Sequence, residues 1–218
     1  MFDFDPAIVL VGLGFIFSIV VHECAHGIVA YWCGDETAVR LGRITLDPIP
    51  HVDPIMSILL PGLLLLASNG QAVFGGAKPV PVIASNLRHP KRDMMWVAWA
   101  GPMSNVLLAI AFALLVNLAV LFTRYDPNLG AVLERGVRGI VTINLLLAAF
   151  NLLPIPPLDG SKIVAGLLPP DMAARLMRLE PYGMLIVGAL VFSGGIAHFL
   201  WPVGYAAGWI LQTFVFVS

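Results

Sequence analysis

Two histidines four residues apart, with a glutamate beside the first, form the sharpest chemical signal in the chain: His22-Glu23-Cys24-Ala25-His26. On a helix, positions i and i+4 share a face about one turn apart, so both imidazoles can meet one tetrahedral metal ion. Glu23 then lies beside them as a base for a water on that ion. The five residues sit inside an apolar stretch running from Ala7 to Cys33. An ionisable group in a spanning helix costs on the order of 3 kcal/mol or more, so three of them in five positions require a function.

Two histidines do not complete a metal site. The best third ligand is Asp159, in Asn151-Leu152-Leu153-Pro154-Ile155-Pro156-Pro157-Leu158-Asp159-Gly160. Pro154, Pro156 and Pro157 end the preceding apolar helix and predict an extended path that carries Asp159 just past its end. Two imidazoles and one carboxylate leave a fourth position for water, the donor set of hydrolytic zinc. The later glutamates, Glu134 and Glu180, fit a ligand role less well: the first falls on the opposite side of the membrane and the second precedes a proline.

Other polar residues are weaker candidates. His51 stands in a loop rich in Pro and Asp, where it could polarise a carbonyl or stabilise an oxyanion, or simply be solvated. Asn105 and Asn144 lie in apolar helices, where an amide needs a partner; a bond between helices explains them nearly as well as a substrate contact does.

The elements that must position these groups belong to a membrane protein. Of 218 residues, 59% are hydrophobic and 11% charged, with a mean hydropathy of +0.89, far outside the soluble globular range. A net charge of −1 and the lack of any long Lys/Arg run exclude a nucleic-acid role. Spanning helices need about 20 apolar residues, and the hydropathy predicts them at Ala7 to Cys33, Met95 to Phe122 and Gly136 to Leu153. Two more fit at Tyr182 to Phe199 and Pro202 to Val217. The run Ile55 to Ala67 is short and holds Pro61 and Gly62, so it reads as re-entrant, or as paired with a return through Gln71 to Ala84. Cys24 and Cys33, nine residues apart on one helix, fall on roughly opposite faces and are not expected to pair.

Cytoplasmic loops collect Lys and Arg. If the chain crosses inward at Ala7 to Cys33 and makes no net crossing before Met95, nine of its twelve basic residues face the cytoplasm. Only Arg124, Arg135 and Arg138 then face out. Along α-helix at about 1.5 Å per residue, His22 lies roughly 22 Å from Ala7, and His26 roughly 12 Å from Gly34. The metal is therefore expected within the lipid bilayer, nearer the cytoplasmic face, and the Asp159 turn reaches that face too.

These motifs together resemble the site-2 protease family of intramembrane zinc metalloproteases. The resemblance rests on His22 to His26, on Gly101-Pro102-Met103-Ser104-Asn105, and on the proline-rich stretch from Asn151 to Gly160. It extends over Gly42 to Pro48, His51 to Pro54 and Ala77 to Val82. It implies one Zn2+ held by His22, His26 and Asp159, with Glu23 as general base. It further implies that Asn151 helps to bind the substrate backbone, and that extended strands near residues 40–50 and 77–83 offer an edge to a locally unwound transmembrane substrate. Many members carry a PDZ or CBS domain, and nothing in this chain could be one. Access control then falls to helices, loops, a regulatory membrane partner or a second copy of the chain.

The expected whole is one all-α polytopic membrane domain over residues 1–218, of about five to six membrane segments with a small membrane-embedded β element. A rival class is a transporter or channel that uses the His/Glu cluster as a metal transit site. It requires further ligands along a path, and Ile8 to Val21 and Met103 to Leu121 contain none.

Overall fold

The computed structural model describes residues 5–59, 62–63 and 75–216. Its long elements are α1 (Ala7–Trp32), α3 (Pro90–Phe122) and α4 (Pro127–Asn151), with a short α2 (Thr37–Arg40) after the first. After them come α5 (Asp159–Leu167), α6 (Pro170–Met177), α7 (Glu180–Phe192) and α8 (Gly195–Phe214). Proline at the first turn starts α3, α4 and α6, where its missing N–H costs nothing. At the head of α4, the Asp126 carboxylate also accepts from the amides of Asn128 and Leu129 at 3.0 Å.

Helices α1, α3 and α4 pack against one another, and α5 packs on α3. Close approach of α1 to α4 depends on small residues. A Cβ on Gly136 would meet Leu10 at 2.7 Å, one on Gly139 would meet Val11 at 2.5 Å, and one on Gly14 would meet Ile140. Between these two helices Asn144 donates to Ser18 Oγ at 2.8 Å and to its own-helix Ile140 carbonyl at 2.9 Å. Asn144 is therefore a helix-to-helix bond. A second apolar cluster, Ala109, Ala113, Val141, Leu145, Val203, Ala207 and Ile210, joins α3 and α4 to α8.

Polar bonds sort the helix ends. Arg135 pairs with Asp5 at 3.2 Å at one end. At the other, the Arg88 amide donates to the Cys33 carbonyl at 3.0 Å and Lys91 Nζ to the Leu168 carbonyl at 2.6 Å. Residues 56 and 76 lie side by side, joined by Gly76 N–H to the Met56 carbonyl at 3.0 Å and by Ser57 Oγ to the Gly76 carbonyl at 2.7 Å. The described ends of this excursion thus meet at one place; residues 60–61 and 64–67 of the segment from Ile55 to Ala67, on which the re-entrant and paired-return readings fall, lie outside the described residues. Many large apolar side chains remain on the outer surface, such as Ile8, Leu107, Leu118, Leu185 and Trp201. A lipid-facing surface accounts for them.

Three expectations need correction. First, among the described residues α1 and α3 are the helices long and apolar enough to cross a bilayer, with a third span if α7 and α8, which bend by 74° at their junction, count as one. The expected five to six segments do not emerge among these residues. Helix α4 is long enough, but Glu134, Arg135 and Arg138 interrupt its first half. The bend falls at Gly194, whose φ of 74° suits only glycine comfortably, rather than at Pro202, which α8 absorbs.

Second, no β-strand forms among the described residues. Around residues 45–56 the side chains of Thr45, Asp47 and Asp53 accept the local backbone amides of Asp47, Ile49, Ile55 and Met56, so the chain turns instead of extending. Residues 75–83 do run without helix, but Pro79 and Pro81 lack an N–H. The amides of Lys78, Val80 and Ile83 go to the His51 carbonyl, Glu23 and Asp35. Third, residues 152–158 turn compactly, with Ile155 N–H on the Leu153 carbonyl at 2.8 Å and Leu158 N–H on the Ile155 carbonyl at 2.9 Å. The expected extended path is absent.

Asp35 anchors the 83–86 turn to the end of α1. Fully buried, its carboxylate accepts from Ile83 N–H at 2.6 Å, Asn86 Nδ2 at 3.0 Å, and both the amide and hydroxyl of Thr37. Burial pushes its carboxyl up, and the hydrogen bonds from Thr37, Ile83 and Asn86 outweigh burial, so it titrates below the ordinary carboxylate range. A carboxyl depressed in the folded state stabilises fully above about pH 4 and loses that contribution as pH falls through the folded value. Asp35→Ala is expected to cost about 3 kcal/mol, and Asp35→Asn to flatten the acid side of a plot of melting temperature against pH in detergent.

Candidate metal centre

The C-terminal half of α1 carries His22, Glu23 and His26, and α3 packs against it there. Contact is close because position 101 is glycine. A Cβ on Gly101 would stand 2.5 Å from Nε2 of both histidines. The next residue, Pro102, offers no N–H to the Ala98 carbonyl one turn back. One residue earlier, the Val97 carbonyl accepts from His26 Nδ1 at 2.7 Å. A carbonyl only accepts, so the His26 proton sits on Nδ1 and a lone pair remains on Nε2.

Asp159 is the first residue of α5, brought to the same place by the tight turn of residues 152–158. Gly160 makes this possible, since a Cβ there would collide with the backbone of Leu152 and Leu153. Asp159 Oδ2 lies 3.2 Å from His22 Nε2 and 3.2 Å from His26 Nε2, and the two Nε2 atoms are 3.0 Å apart. All three side chains are buried, and their ligand atoms lie within 4.8 Å of one another. Three electron-pair donors converging on one buried point repel unless a cation lies between them. The donors present, two imidazoles and one carboxylate, suit zinc.

Asn105 supports the same reading. Fully buried, its amide nitrogen lies 3.3 Å from His22 Nδ1, and its Oδ1 has no hydrogen-bond partner among the described residues. With Nε2 committed to a metal, His22 carries its proton on Nδ1, and a half-turn of the amide lets Oδ1 accept it. Asn105, for which the sequence left a bond between helices and a substrate contact both open, lies at the back of a histidine.

A pocket of about 230 Å³ opens beside the three donors, lined also by Glu23, Val80, Asn151 and Lys162. The Val80 amide donates to Glu23 Oε2 at 2.7 Å. Asn151 donates to the Leu147 carbonyl at 3.0 Å, which turns its amide group to the pocket wall. His51 is not among the lining residues. It is buried, with Nε2 3.0 Å from the Thr45 carbonyl, and it borders a larger apolar cavity of about 620 Å³ between α1 and the 48–57 and 75–77 segments. Cys24 and Cys33 are free, and Cys24 Sγ bonds the Thr45 carbonyl at 3.1 Å, away from the donor set.

Several participants were not legible beforehand. Gly101, the Val97 carbonyl and the Val80 amide act through backbone or through the lack of a side chain. Lys162 had a usable signal, since it stands three residues after Asp159 and so on the same helix face. Gly101→Ala is expected to push both imidazoles out of register and lower zinc occupancy at least tenfold, read by metal analysis of the purified chain.

Relatives agree with this chemistry. The chain is 39% identical over 193 residues to YwhC of Bacillus subtilis, covering 86% of this chain and 82% of the relative. It is 32% identical to Rip2 of Mycobacterium tuberculosis, covering 90% of this chain and 72% of Rip2. To MJ0611 of Methanocaldococcus jannaschii it is 32% identical, over 74% of this chain and 70% of that one. All three bear names that call them zinc metalloproteases. No protein-family model matches the chain, and no solved structure does. The chain is a zinc metalloprotease. It belongs to the short, site-2 protease-like family that these relatives represent.

Proposed function

We propose that this chain is an intramembrane endopeptidase that cleaves transmembrane protein substrates near the cytoplasmic face of the cell membrane, with zinc held by His22, His26 and Asp159. The observation that carries this is the convergence of three buried donors, from α1 and α5, on one point in the middle of an apolar helix. When bound, zinc supplies a Lewis acid for the scissile carbonyl and makes a coordinated water acidic. Glu23 borders the same pocket, and its carboxylate takes the proton from the attacking water and hands it to the leaving amine. The Val80 amide fixes one Glu23 oxygen and leaves the other for this transfer. Asn151 presents its amide to the substrate backbone from the pocket wall.

A helical peptide hides its carbonyls in its own hydrogen bonds, so the substrate unwinds before it is cut. The non-helical segment of residues 75–83 lines the pocket with Pro79, Val80 and Val82, and supports side-chain contact with the unwound chain there. Orientation rests on the cations: Arg40, Arg43, Lys78, Arg88, Lys91 and Arg92 gather near the α1 C-terminus, which favours that end as cytoplasmic. The test uses the purified chain in vesicles with an α-helical single-span substrate. Cleavage stopped by a zinc chelator and restored by zinc supports the proposal. Chelator-resistant cleavage, or metal flux across the vesicle without cleavage, contradicts it.

A further inference from the structure

One charged side chain at the pocket has no task in the reading above. Lys162 is the sole Lys or Arg among the described residues that line the pocket. Its Nζ lies 3.5 Å from Asp159 Oδ1, and no other donor among the described residues bonds that oxygen. The other oxygen, Oδ2, is the one that meets both histidine Nε2 atoms. The two oxygens of one carboxylate are thus differently employed, one toward the donor cluster and one toward an ammonium.

The distinction matters because a carboxylate binds a divalent ion through one oxygen or through both. Two-oxygen binding by Asp159 would occupy a position that a hydrolytic centre needs for water. We propose that Lys162 holds Oδ1 away from the metal and keeps Asp159 a one-oxygen ligand. This inference rests on His22, His26 and Asp159 being the zinc site. Lys162 is a positioning residue: it acts through the Asp159 carboxylate. Its side chain is 38% exposed, so it can be replaced without opening the core.

The test strips metal from the full chain in detergent, loads Co2+ alone, and records the visible ligand-field bands. Four-coordinate Co2+ absorbs several times more strongly than five- or six-coordinate Co2+. Lys162→Met is expected to lose most of this intensity, because the released Oδ1 is free to become a second Asp159 donor. Lys162→Arg, which keeps a donor on Oδ1, should retain the parent spectrum. If the methionine variant does not fold, Lys162→Leu, which also lacks a donor, reports the same change. An unchanged band in the methionine or leucine variant overturns this role while leaving the zinc site intact. Failure of the parent chain itself to bind Co2+ overturns the site, and this inference with it.

Discussion

Glu23→Gln is expected to retain full zinc and to slow cleavage of a transmembrane substrate about a thousandfold. The amide has nearly the shape of the carboxylate and keeps a carbonyl oxygen for the Val80 N–H, now 2.7 Å from Oε2. What it cannot do is accept a proton at neutral pH. Packing and metal binding should therefore persist while the proton transfer fails. Zinc content by elemental mass spectrometry and cleavage in vesicles read the two properties separately. Activity within tenfold of the parent would remove Glu23 from the mechanism, and loss of zinc would recast it as a structural residue.

Asp159→Ala is expected to lose zinc as well as activity. Structural zinc binding is worth about 10–16 kcal/mol over four ligands, so deleting one ligand costs on the order of 3 kcal/mol, roughly a hundredfold in affinity. The loss also leaves His22 and His26 with Nε2 atoms 3.0 Å apart and no carboxylate to help neutralise a cation between them. Lys162 then loses its partner at 3.5 Å. Helix content should survive, because α5 still packs on α3. Wild-type zinc affinity in this variant would mean that the third ligand lies elsewhere.

The site was more legible than the frame around it, for a physical reason. His22, Glu23 and His26 announce themselves because ionisable groups in an apolar helix are costly, and i to i+4 spacing states their geometry without reference to any other part of the chain. Asp159 was reachable because the proline run after Asn151 had to end a helix on a particular side. Its approach was misjudged, since a run of prolines reads as extended and here makes a tight turn that starts α5. The helix start of α3 at Pro90 and the failure of α4 as a clean span depend on charges and caps at their ends, where hydropathy averages are least informative. Strands near residues 40–50 were expected from the resemblance, and the Asx-type bonds of Asp47 and Asp53 prevent them. Asn105 was recognised as an amide needing a partner, but no one-dimensional pattern could say that the partner is His22. Gly101 carries its message only through what stands opposite it, both imidazoles of α1.

The claim on which the rest depends is that one zinc ion joins α1 to α5. X-ray absorption at the zinc edge of the purified chain tests it directly. A shell of nitrogen and oxygen neighbours near 2.0–2.1 Å, with the outer scattering of two imidazoles and one zinc per chain, is the expected result. A sulfur neighbour near 2.3 Å, which would bring in Cys24 or Cys33, or a spectrum unchanged in Asp159→Ala, would contradict it.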